Sequence, residues 1–196
     1  MDIKSAWEIA KEKIDSMEEA TPEELLKWKY TPEGERLAAR FLKEDTSLSS
    51  ELGNYKEGDA RRFVTQGALD ALVRNISLPR NDVVKKTNRR IMEAVKSLRG
   101  DEVAVENVFS KIRRIFSHYV GPGEEQRKQA YEELKYNFAV KLNEAMRQQL
   151  GVGTNMKVDI ERQPEFQSEW RRLSSQLDAP YEKHLEEYKE ELAAVK

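Results

Sequence analysis

The chain contains no cysteine. A disulfide, a thiolate nucleophile and a cysteine-held zinc or iron–sulfur site are therefore excluded outright. Histidine is nearly as scarce, with two copies, His118 and His184. Neither belongs to a metal motif: position 115, three before His118, is Ile, and position 181, three before His184, is Tyr, so the Glu-x-x-His signature of helical di-metal bundles is missing. No pair of histidines has the spacing of a helical zinc site either. His118 falls at the end of a helical pattern, where a cation complements the helix dipole and needs no other explanation. Long apolar runs are missing too. Nothing approaches the roughly 20 residues of a membrane span, and the amphipathic opening MDIKSAWEIAKEK has neither the basic patch nor the apolar block of a signal peptide. The expected location is the cytoplasm.

Charge, by contrast, is abundant. Of the 196 residues 36% are charged and 38% hydrophobic, and mean hydropathy is -0.81. Such a composition suits helices with a narrow apolar stripe and a solvated remainder. The net charge of -2 conceals an uneven layout. Residues 1–59 hold 9 basic and 15 acidic side chains, residues 74–117 hold 11 and 5, and residues 118–196 hold 12 and 15. A basic middle lies between acidic ends, and such charge pairs within the chain, between copies, or with an external polyanion.

Helical spacing recurs almost from end to end. Ile3, Trp7, Ala10, Ile14 and Met17 step by four, three, four and three along one face. The repeated TPEE at Thr21 and TPEG at Thr31 each read as a threonine N-cap followed by proline at the first helical position, which predicts two successive helices, the first of them short. Residues 44–58 lose periodicity and gather Ser, Gly, Asn and Asp, the composition of a polar linker. Beyond it, Asp59, Asp82 and Asp101 open three more helices, and the stripe Val105, Val108, Phe109, Ile112, Ile115, Phe116 and Tyr119 is the broadest in the chain. Gly121 and Pro122 then interrupt the pattern, Gly121 being suited to a left-handed helix stop. Glu124 and Glu125 occupy the next first turn, so an anion-cradling loop is disfavoured there and the segment reads as a bend.

One long helix is expected over about 124–150, with Tyr131, Leu134, Phe138, Leu142 and Met146 on a narrow seam. Met156, Val158 and Ile160 alternate with polar neighbours, which predicts one short strand or extended arm over about 154–161. Two short helices after Pro164 and after Asp178 are expected to form a hairpin. The organisation that follows is N-terminal helices at 1–43, a polar linker at 44–58, a central helical core at 59–150, and an arm plus C-terminal hairpin at 151–196. The fold class is mainly α, an elongated multi-helix bundle of seven to nine helices.

Catalytic chemistry finds little to stand on. Paired carboxylates such as Glu132 with Glu133 and Glu186 with Glu187 sit on polar faces that do not separate their pKa values. If an inter-helix pocket existed, Tyr119, Tyr131, His118 and Arg114 would be its candidates, being near the bend. No cofactor or metal is called for. Arg80, Lys85, Lys86, Arg89, Arg90, Lys96, Arg99, Arg113 and Arg114, on two successive helices, form a possible polyanion-binding surface, although neither an aromatic RNA-binding motif nor a DNA-reading helix-turn-helix accompanies them.

The opening IKSAWEIAKEK and the closing PEFQSEWRRLSSQLDAPYEKHLEEYKEEL resemble the two ends of a small group of uncharacterised bacterial helical proteins, through Trp7, Phe166, Trp170, Leu177, Tyr181 and Tyr188. That resemblance implies no activity and carries over no functional residue. The sequence thus points to a non-catalytic scaffold that forms a homo-oligomer or binds another protein, with Tyr131, Leu134, Phe138, Leu142, Met146, Phe166, Trp170, Tyr181 and Tyr188 as candidate interface residues. Nucleic-acid binding through residues 74–117 and an enzyme with an inter-helix pocket are the alternatives.

Overall fold

The computed structural model describes residues 20–44, 46–56, 58–150 and 159–195. They form seven α-helices: α1 (Pro22–Lys43), α2 (Leu48–Gly53), α3 (Asp59–Arg74), α4 (Asp82–Leu98), α5 (Glu102–Val120), α6 (Pro122–Leu150) and α7 (Pro164–Ala194). The expected mainly α class and long helix are borne out, α6 running 29 residues, about 43 Å at 1.5 Å per residue. No strand occurs among the described residues. The helical spacing at 3–17 and the greater part of the strand expected at 154–161 fall outside them; the part that is described, Ile160–Arg162, is one turn of 3-10 helix.

Two expected helix breaks are continuous helix instead. TPEE does start α1 as read: Thr21 Oγ1 accepts from the Glu24 amide at 3.3 Å and the Glu24 carboxylate accepts from the Thr21 amide at 2.8 Å, closing a capping box. TPEG, however, lies inside α1, with Pro32 in its interior. A proline there removes one bond, to the carbonyl four residues back. That carbonyl belongs to the exposed Trp28, within reach of water. Tertiary packing holds the helix through the proline, because α1 crosses α3 at this point with almost no side chain between them. A methyl group on Gly34 would lie 2.7 Å from the Ala68 amide nitrogen and closer still to the Val64 carbonyl oxygen, and one on Gly67 would strike the Thr31 carbonyl. Likewise the expected C-terminal hairpin is a single 31-residue helix, α7, with Pro180 inside it. Phe166 and Leu185, buried on either side of that proline, carry the helix across it.

The polar linker at 44–58 also contains structure. Ser47 accepts from the Ser50 amide at 3.4 Å and starts α2, whose Leu48 and Leu52, one turn apart, are both buried. Two apolar residues in a serine-rich stretch are too few to register as periodicity, yet enough to seat one short helix. At Gly121 the correction is local. Its φ is not positive, the Gly121 amide still bonds the Ser117 carbonyl at 3.1 Å, and α6 restarts at once on Pro122, so only this residue separates α5 from α6.

The chain divides into two compact units. One holds the described residues up to Ile76, Lys86–Glu106 and residues 192–195; its interior includes Leu37, Val64, Leu72, Ile76, Ile91 and Val95. The other holds Ser77–Lys85 and Asn107–Glu191, with Phe109, Ile112, Tyr119, Phe166 and Leu185 inside.

Candidate functional site

In the second unit a cleft of about 520 Å³ opens between the 79–85 segment and helices α5, α6 and α7. Its floor is Tyr119, Arg127 and Asp178. Trp170, Ser174 and Asp178 follow one another at four-residue intervals on α7 and so share one face of that helix. Asp178, after which a final short helix was expected to begin, is an interior residue 5% exposed. Its Oδ2 forms an ion pair with Arg80 at 3.1 Å and accepts from the Tyr119 hydroxyl at 3.3 Å, while Oδ1 faces Arg127 Nη1 at 3.5 Å, an ion pair beyond hydrogen-bond geometry that leaves both atoms without a hydrogen bond. Arg127, 16% exposed, lies over the Tyr119 ring with its Cζ 3.9 Å from the centroid and donates to the Tyr119 carbonyl at 2.9 Å. Burial, followed by the Asp178 charge, pushes the Tyr119 hydroxyl above the usual tyrosine range, with Arg127 and Arg80 opposing.

The rim is self-neutralised. Lys128 pairs with Glu124 at 2.9 Å, Arg80 with Glu182 at 2.8 Å, and Lys85 with Asp82 at 3.1 Å. Chemically the site is a buried carboxylate held by two guanidiniums and a phenol, an arrangement that fixes α5, α6 and α7 on one another. It holds no histidine, and among the described residues no group of three or more His, Asp or Glu side chains is placed to hold a metal ion.

The model of a family of unknown function (DUF6657) matches residues 49–194. The chain belongs to that family. No curated protein and no solved structure matches the chain. Every residue of the cleft lies inside the family segment, whereas α1 lies before it.

The four residues proposed for an inter-helix pocket are split. Tyr119 and Tyr131 line the cleft, while Arg114 and His118 line a second, more apolar groove of about 490 Å³ with Ile115, Leu177, Pro180, Tyr181 and His184. There His118 Nδ1 is 2.9 Å from the Tyr181 hydroxyl, and Gly123 supplies the room, since a methyl on it would stand 2.6 Å from that oxygen. Of the candidate interface residues, Tyr131, Phe138, Phe166 and Trp170 form one aromatic cluster between α6 and α7, with ring centroids 4.9–5.7 Å apart in edge-on contacts. Tyr181 meets Tyr119 at 5.2 Å, and Tyr188 lies under Lys111. Leu134, Leu142 and Met146 are half-buried along the same α6 seam.

The basic residues are distributed in the same inward-looking way. Within the first unit Arg90 donates to the Phe41 and Glu44 carbonyls and covers the Phe41 ring, Arg99 bonds the Val195 and Ala193 carbonyls at the end of α7, Arg89 pairs with Glu93 at 3.0 Å and Lys96 with Glu106 at 3.6 Å. Arg113 donates to Ser110 at 3.2 Å in the second unit. Lys86 and Arg114 are exposed. Sequence reasoning missed Arg127 and Asp178 as a pair. The available signal was an aspartate in line with Trp170 on the aromatic side of α7.

Proposed function

We propose that this chain is a cytoplasmic, non-catalytic helical scaffold that works by binding protein, other copies of itself included. One observation carries the reading. On α6, Tyr136 is 70% exposed and Val140, one turn further, 38% exposed, on the side away from the seam of Tyr131, Phe138 and Leu142 that packs within the unit. Large apolar groups held in water on a long, regular helix suit an interface. The cleft supports the same reading from the opposite direction, since most of its charged groups are paired with one another and no aligned acid, base or nucleophile is among them.

The test is light scattering on the purified chain at tens of micromolar, alongside affinity capture from extract. The expected result is a mass above 22.8 kDa or a stoichiometric protein partner. A monomer that captures nothing overturns the reading.

A further inference from the structure

The outer face of α6 has an order that read in isolation looks arbitrary. Glu133, Tyr136, Val140, Glu144 and Arg147 are all exposed and fall on one side of the helix. Taken outward from Val140, the acid Glu133 stands seven residues before it and the base Arg147 seven residues after it; Tyr136 stands four before and Glu144 four after. Seven residues are two turns, about 10 Å along the axis. Glu133 and Arg147 have no hydrogen-bond or ion-pair partner among the described residues. The stripe is therefore its own complement when a second helix runs in the opposite direction, and its own antagonist when the second helix runs the same way.

We propose that this face of α6 pairs with the same face of a second copy, antiparallel and with the two-fold axis at Val140. The inference rests on the scaffold reading and names its partner. In that register Glu133 of each copy meets Arg147 of the other, the Tyr136 hydroxyl donates to Glu144 of the other, and Val140 packs on Val140 at the centre. A parallel arrangement sets Glu133 on Glu133 and Arg147 on Arg147, which like-charge repulsion opposes. Self-pairing explains the ordering because an isologous contact requires each side to carry both halves of every pair, at equal distances from the axis. A foreign partner would impose no such symmetry.

The absence of native cysteine makes the test direct, since a single introduced thiol forms a disulfide only with another copy. Helix axes packed about 8–10 Å apart bring Cα atoms on the axis within disulfide reach. Under copper–phenanthroline oxidation Val140→Cys is expected to give the covalent dimer by itself. Glu133→Cys and Arg147→Cys are each expected to stay monomeric alone and to cross-link when mixed. In light scattering, Glu133→Arg is expected to weaken self-association about tenfold, and Glu133→Arg with Arg147→Glu together to restore it. Circular dichroism on each variant checks that these exposed substitutions leave the fold intact. If the wild type self-associates and Val140→Cys does not cross-link, or if Glu133→Cys cross-links with itself, the register is overturned while the scaffold reading stands. A monomeric wild type with a captured foreign partner also overturns self-pairing alone. A wild type that neither self-associates nor captures a partner overturns both.

Discussion

Asp178 concentrates the polar energetics of the second unit in one side chain. A carboxylate this deeply buried is tolerable only with cations and donors around it, and Arg80, Arg127 and Tyr119 supply them. Removing the acid strands the mostly buried Arg127 guanidinium, so Asp178→Ala is expected to destabilise the protein by about 2–4 kcal/mol, as read from the urea midpoint. Arg80→Ala is expected to cost far less, because that side chain is largely solvated. Tyr119 adds a pH signature. Its folded pKa lies above the ordinary value, so the unfolded chain loses this proton first as the solution becomes alkaline. The stabilisation is thus complete below the unfolded pKa near 10 and is lost as pH rises through the folded value. A urea midpoint that declines as pH rises above about 10, and declines less in Tyr119→Phe, is the expected outcome. None of these contacts could be read along the chain: residues 80, 119, 127 and 178 come from four separate segments, and only folding makes them neighbours.

Elements were more legible than contacts, for a physical reason. An apolar residue every third or fourth position reports burial of one helix face directly, so the long helix over 122–150 and the helices opened by Asp59, Asp82 and Asp101 follow from spacing. Proline misled at position 32, because its local preference costs a single backbone bond and the packing of α1 outweighs that, and the break expected after Asp178 is bridged too, with Pro180 inside α7. Glycine acts in the other direction. Gly34 and Gly67 look like weak points within helices, yet each permits backbone contact between α1 and α3. Gly34→Ala and Gly67→Ala are both expected to destabilise by several kcal/mol, on the order of an overpacked core with no side chain free to move aside. Gly53→Ala, where a methyl meets open space, is expected to be neutral or to stabilise by about 0.5–1 kcal/mol. Thermal melts of the three variants side by side would show the contrast, and a Gly67→Ala protein as stable as wild type would contradict the crossing.

For the molecule as a whole, charge is the feature that most separates sequence from structure. Eleven basic against five acidic residues over 74–117 suggest a polyanion surface. Folded, much of that charge is already used: Arg74 pairs with Glu35, Lys111 with Glu191, and Arg90 and Arg99 bind carbonyl groups. Retardation of a nucleic-acid duplex is therefore expected to be absent even at about 50 mM salt, where counterion release most favours binding. A shift in that assay would revive the polyanion role, with Lys86 and Arg114 as the first residues to replace.

The crossing at Gly34 and Gly67 has a consequence for any shortened form of this chain. The family segment starts at residue 49, so it includes the receiving half of the joint on α3 and leaves out the inserted half on α1. A bare patch of main chain shaped to accept another main chain is of little use by itself. In this chain α1 fills the notch at Gly67, so a fragment beginning at residue 49 is expected to leave that stretch of main chain open to water and to melt below the full chain.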